Sequence, residues 1–214
     1  TWAIGGGPAW SGGPSEQNAV DTIVEAVKQG INMVDTAPGY NFGASEGIVG
    51  KALKRVDREK VILVTKCGVV WNRKGTVWNK VGDRQLYRLL TPESVKLEVE
   101  ESLDRLGTDP YFCAAVAAKI NPKRMAGLGR KLDAPFETPI AETVGALNEL
   151  KTDGKIRAIG AANVSISQIK EYVDCCELDL VQGKYSVLDR AVEDELLPLC
   201  RENKITMQAY SPLE

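Results

Sequence analysis

Two short apolar runs, each ending in a charged residue and separated by a helical stretch, constrain this chain more than any other feature. Residues 31–34 are largely apolar and stop at Asp35, and residues 61–65 stop in the same way at Lys66. Runs this short suit buried strands. Between them, residues 45–55 read as a helix with Ser45 as its cap. Ahead of them, residues 15–30 set Val20, Ile23, Val24 and Val27 on one face, with Gly30 as the stop. Strand, helix and strand joined by short connections predict a parallel sheet, and an alternation that keeps repeating predicts a barrel.

The alternation does repeat. Thr91-Pro92 opens a helix that Gly107 closes, with Leu97, Leu103 and Leu106 expected to face inward. Thr138-Pro139 starts another, carrying Ile140, Val144, Leu147 and Leu150 on one face as far as Gly154. Strands follow at 156–160, 178–182 and 205–209, with helices at 165–173 and 192–203. Thr1-Trp2-Ala3-Ile4 reads as the end of a first strand, followed by the loop Gly5-Gly6-Gly7-Pro8, which either lets backbone approach a ligand or is simply flexible. It lacks the spacing of a phosphate-binding loop. The expected fold is α/β, one partial (β/α)8 barrel over residues 1–214, with seven strands at most and six helices.

In such folds ligands and chemistry collect where the strands end. Asp35, Lys66 and, five residues beyond Asp35, Tyr40 therefore fall on one rim. A free phenol with a pKa of about 10 exchanges protons poorly near neutrality. A neighbouring ammonium favours the phenolate, and a carboxylate holds that ammonium charged and in place. Tyr40 is thus a candidate general acid, tuned by Lys66, with Asp35 as its anchor. The plain alternative is that Asp35 caps the loop, Lys66 is solvated and Tyr40 packs its ring.

Residues 67–90 break the rhythm, with Trp71, Trp78 and Tyr87 among polar and charged residues. They read as a long substrate-side loop or a small hairpin turning at Lys74-Gly75. A long loop of this kind is usually functional or disordered, and three aromatics oppose disorder. The open alternatives are a lid over the substrate mouth and a satellite hydrophobic cluster.

Bulk properties exclude several classes. A net charge of −2 and a pI near 5.5 offer no basic field for nucleic acid or an anionic membrane surface. No apolar run approaches the roughly 20 residues of a membrane span, and no stretch reads as a secretory leader. The 214 residues, 43% hydrophobic, are enough for one domain with a sizeable core. Cys67, Cys113, Cys175, Cys176 and Cys200 form no paired framework, so free thiols and a cytoplasmic location are expected. With no His in the chain and no clustered carboxylates, no metal site is expected.

Asp35-Thr36-Ala37-x-x-Tyr40, then Gly43-x-Ser45-Glu46 with Gly50, then Thr65-Lys66, then Leu106-Gly107-x-Asp109, and finally Tyr210-Ser211-Pro212-Leu213, resemble the aldo-keto reductase superfamily, in particular its bacterial, methylglyoxal reductase-type members. The resemblance implies a barrel that binds NADP(H) without a Rossmann domain and reduces small carbonyl substrates, with Asp35, Tyr40 and Lys66 catalytic. It further implies cofactor contacts from Thr1, Trp2, Asn163, Gln182, Tyr210, Ser211 and Leu213, with Tyr210 stacked on the nicotinamide. Residues 109–137 depart from the family pattern: Ala117 stands where the family has a carbonyl-orienting His, and residues 121–133 have no counterpart, Asn121 being the nearest amide. Ala162 replaces a usual Ser before Asn163. An eighth strand with its helices does not follow Glu214, which implies a piece of a longer chain. The rival expectations are a nicotinamide-binding sensor or partner subunit without catalysis, and an aldolase-like barrel with Lys66 as a Schiff-base nucleophile.

Overall fold

The computed structural model describes residues 1–6, 14–108, the strand 113–118 and 138–213. The expected features at residues 121–133, Asn121 included, lie outside them. Among the described residues, nine strands and six α-helices run in the order α1 Glu16–Lys28, β1 Met33–Asp35, α2 Ala44–Leu53, β2 Ile62–Cys67, β3 Val69–Val70, β4 Thr76–Val81, β5 Arg84–Arg88, α3 Pro92–Leu106, β6 Cys113–Ala118, α4 Ile140–Thr152, β7 Ala158–Ala162, α5 Ile166–Cys175, β8 Leu180–Lys184, α6 Leu196–Glu202 and β9 Thr206–Tyr210. Six strands form one all-parallel sheet, β1-β2-β6-β7-β8-β9, so all end at one rim.

That sheet curls. Flat strands lie about 4.8 Å apart, which would put β1 and β8, four places away, about 19 Å from each other. Yet Gln182 of β8 donates a hydrogen bond to Asp35 of β1 at 2.6 Å. Only a sheet closing around a lumen brings those strands together, as the barrel expectation requires. Side-chain alternation then sorts the residues. Met33, Val64, Ala158, Ala162 and Leu180 form a small apolar cluster, with Val64 and Leu180 each two residues below a polar rim residue, Lys66 and Gln182. The opposite faces, bearing Leu63, Ile159 and Val181, meet the helices in two larger clusters.

The helices start where their chemistry dictates. Ser15, Thr91 and Ser165 each accept a backbone N–H in the first turn, and Ser165 with Gln168 completes a capping box. α2 and α3 cross at Gly50, where a Cβ would lie 2.5 Å from the Leu106 carbonyl oxygen.

Several expectations are corrected. Residues 1–4 are no strand; a 3-10 turn at Ala3–Gly5 stands there, closed by Ile4 N–H to Thr1 O and Gly6 N–H to Ala3 O. The parallel sheet accordingly has six strands among the described residues. Ser45 does not cap α2: Gly43, in the left-handed region at φ +85°, holds that place, and Ser45 lies inside the helix. Leu97 points outward at 46% exposure, while Val95 and Val99 face the core. Residues 192–203 divide into a 3-10 turn at Ala191–Glu193 and α6. Residues 67–90 form an antiparallel sheet, β3-β5-β4, whose hairpin turns at Gly82-Asp83, between the paired Val81 and Arg84. Gly75 is not that turn; its backbone presses on Arg88, where a Cβ would meet the carbonyl oxygen at 2.4 Å.

Candidate active site

Asp35 closes β1 and Lys66 is the penultimate residue of β2, in neighbouring parallel strands. Lys66 Nζ donates to Asp35 Oδ1 and to the Thr36 carbonyl, both at 2.7 Å. The second Asp35 oxygen accepts from Gln182 Nε2, which also donates to Gln208 Oε1 at 2.9 Å. One carboxylate is therefore held from two sides of the lumen, and the ammonium from two directions. The Lys66 and Asp35 side chains stay 13% and 23% exposed, so the pair is sheltered but reachable from solvent.

Tyr40 is delivered by the loop between β1 and α2. Thr36 N–H continues the parallel ladder onto Val64 O, and Tyr40 N–H turns back to Ala37 O. Asn41, Phe42 and Gly43 then all take positive φ, at 50°, 54° and 85°. That conformation is uncommon for a residue such as Phe, and it is held on three sides. Asn41 Nδ2 donates to Gly5 O at 2.7 Å, the Phe42 ring meets Trp71 edge-on at 5.6 Å, and the Arg84 guanidinium lies 4.8 Å from its centroid. The small sheet after β2 thus braces the loop that carries the phenol. The result places Lys66 Nζ 5.1 Å from the Tyr40 ring centroid, with Trp2 tilted against the same ring at 6.4 Å between centroids.

The other expected site residues fall in two places. Thr1 Oγ1 donates to the Asp35 carbonyl at 2.8 Å and meets Ser45 Oγ, while Trp2 is 57% exposed over the mouth. Across the rim, Tyr210 at the end of β9 donates its hydroxyl to Asn163 Oδ1 at 3.1 Å, Asn163 standing just past β7 in a left-handed conformation at φ +58°. Ser211 follows directly, and Leu213 is fully exposed and joins neither group. Cys67 is buried and its thiol is pushed well up by desolvation, then by nearby Glu98, so it is no nucleophile.

Gln208 and Glu98 escaped the sequence reading, and Glu46 entered it only as a motif residue without a role. Gln208 sits opposite Gln182 in the β8/β9 register, and two amides level in apolar strands were the signal. Glu46 and Glu98 were hidden inside helices; both are buried, and both grip the end of β2 from behind.

The fold and rim together define a parallel (β/α) barrel with its ionisable groups gathered beyond the strand ends. Comparison with known proteins identifies the group to which it belongs. The model of the aldo/keto reductase family matches residues 1–214, and the chain belongs to that family. It is 59% identical over 214 residues to the NADH-specific methylglyoxal reductase of Escherichia coli, covering all of this chain and 62% of that protein. It is 38% identical to the Bacillus subtilis aldo-keto reductase YhdN, spanning 56% of that protein. The glycerol dehydrogenase structure from Gluconobacter oxydans superposes with a TM-score of 0.79 at 34% identity, over 98% of this chain and 57% of that one. An aldo/keto reductase structure from Klebsiella pneumoniae in complex with NADP and acetate reaches a TM-score of 0.71 at 25% identity, over 92% and 59%. The chain thus spans little more than half to about three fifths of these relatives.

Proposed function

We propose that the protein reduces small aldehydes and ketones to alcohols with a reduced nicotinamide dinucleotide, Tyr40 giving the proton to the carbonyl oxygen. The observation that carries this is the meeting of Tyr40, Lys66 and Asp35 at the rim, each from a different segment, with the carboxylate held in turn by Gln182. The residues available at the rim suit such a cofactor. Asn163 offers an amide to a carboxamide, and Tyr210 beside it offers a flat face to a flat ring. When bound, the reduced nicotinamide supplies the hydride.

The chain's own residues do the rest. Trp2 and Tyr40 present two aromatic faces at the mouth, a surface for the apolar part of a substrate. The Tyr40 hydroxyl donates its proton as negative charge develops on the carbonyl oxygen. Lys66 supports the resulting phenolate through its nearby charge, and Asp35 with the Thr36 carbonyl keeps the ammonium fixed. Gln182, itself pinned by Gln208, orients Asp35.

The family resemblance implied NADP(H). The 59% identical relative is named NADH-specific, whereas NADP is present in the 25% identical structure. The test therefore follows loss of both NADH and NADPH with methylglyoxal and an aromatic aldehyde, in wild type and Tyr40→Phe. Turnover that falls about 10²- to 10⁴-fold in the variant is expected; an equal rate in both removes Tyr40 from the mechanism.

One observation favours a second proposal, a nicotinamide-binding sensor subunit. The chain contains no His, and β6 brings Ala117 to the rim in register with Cys67. Cofactor fluorescence quenching without turnover on any carbonyl would select it.

A further inference from the structure

The strand end that carries Lys66 is gripped from behind at two points. Just before it, Thr65 Oγ1 donates to Glu46 Oε1 at 2.5 Å, and Arg105 Nε holds the other Glu46 oxygen at 2.6 Å. Just after it, Gly68 bends the chain out of β2 at φ +96° and donates its N–H to Glu98 Oε2 at 2.8 Å. Glu98 Oε1 accepts from Ser94 Oγ at 3.0 Å. Gly68 is buried, and an amide there without an acceptor would be costly.

Packing alone does not call for a carboxyl at position 98. Its helix neighbours Val95 and Val99 are core residues, and a leucine would suit that surface. What the site requires is an acceptor reaching the bend after β2. Glu98 is faced by Cys67 from the strand, by Arg73 and Arg88 from the small sheet region, and by Glu101 from its own helix. Burial raises its pKa to about 7, while the Gly68 and Ser94 hydrogen bonds and Arg73 pull the other way.

We propose that Glu98 is a positioning residue for proton transfer: by holding the Gly68 amide it fixes the strand end from which Lys66 reaches Asp35 and Tyr40. This rests on the reductase function proposed above and extends it to a residue that touches no reactant. Glu98→Gln separates anchor from charge. The amide oxygen accepts from Gly68 and the amide nitrogen donates to Ser94 Oγ, so both tethers survive. Glu98→Leu removes both.

The purified protein is assayed for kcat and KM from pH 5 to 9 with NADH or NADPH and methylglyoxal, alongside thermal unfolding and amide exchange at Gly68. Glu98→Leu is expected to lower kcat on the order of 10- to 100-fold with little change in KM, and to speed Gly68 exchange while the β2 amides stay protected. Glu98→Gln is expected to keep kcat within about threefold of wild type, with slow Gly68 exchange, and to lack the inflection near pH 7 expected of wild type. A folded Glu98→Leu protein with wild-type kcat and only a lower Tm overturns the proposal. If Glu98→Leu does not fold, Glu98→Met replaces it, an unbranched side chain whose thioether is only a weak acceptor for the Gly68 amide. Wild-type kcat and Gly68 exchange in that variant likewise overturn the proposal. A wild type without turnover removes the reductase function instead, and Gly68 exchange in the variants still decides the tether.

Discussion

On the lumen side of β2, Lys66 pairs with Asp35 in a setting 13% and 23% open to solvent, whereas on the helix side Glu46 and Glu98 are 0% and 2% exposed. The two sides alternate along one strand within four residues. The lumen pair is held from several directions yet stays open to solvent, and its removal is expected to change chemistry. The buried carboxyls are held by fixed donors and grip the backbone on either side of Lys66. A short length of strand thus sets a solvent-accessible ion pair on one face and buried, hydrogen-bonded carboxyls on the other.

The largest expected effect tests the lumen side. Lys66→Met should lower kcat/KM by up to about 10⁴-fold, roughly 5 kcal/mol of transition-state stabilisation. Unfolding in urea should move far less. A loss of stability as large as the loss of rate would erase the contrast.

On the helix side, Glu46→Leu leaves the Arg105 guanidinium without its carboxylate and Thr65 without its acceptor. Removing one partner of a buried pair costs about 3–5 kcal/mol, and chemical denaturation should show it as a lower midpoint.

Glu98 sharpens the contrast through pH. Its carboxyl is raised to about 7 from an ordinary value near 4.5, so between those values the native state keeps a proton that the unfolded chain has released. The unfolded state then binds fewer protons, and stability must fall as pH rises through that window, by roughly 3 kcal/mol in all. The contribution is complete below about pH 4.5 and gone above about pH 7. Glu98→Gln should flatten the wild-type stability profile over that range, as read by Tm against pH.

The smallest effect lies deeper in the helix layer. The Tyr172 side chain is fully buried, its hydroxyl has no hydrogen-bond partner among the described residues, and burial raises its pKa further. Tyr172→Phe should be neutral or stabilising by about 1 kcal/mol. A clear loss of stability would mean that the hydroxyl has a partner after all.

How far the sequence revealed this molecule depends on the range of the forces involved. Local signals were readable: Ser15, Thr91 and Ser165 stand at the starts of the helices read from them, Asp35 ends its strand as the apolar run implied, and Lys66 stands one residue before the end of its own. Competing local signals misled. Lys74-Gly75 and Gly82-Asp83 both look like turns, and only cross-strand pairing chooses the second. Ser45 looks like a cap, but Thr1 and Thr36 across the fold engage its hydroxyl within the helix. Burial of charge was least legible, because an acidic residue in an amphipathic helix normally faces water. A trace was present nonetheless: Ser94, Glu98 and Ser102 recur every four residues beside Val95, Val99 and Leu106, and all are buried. A polar row that runs through an apolar face points to a helix packed against something that needs hydrogen bonds.

The bond between Gln182 and Asp35 joins residues 147 positions apart. Contacts this distant in sequence form late, because long loops must close before they are rewarded. During refolding, circular dichroism of the helices should recover ahead of a functional rim. Enzymatic competence would then act as a clock for the last act of assembly.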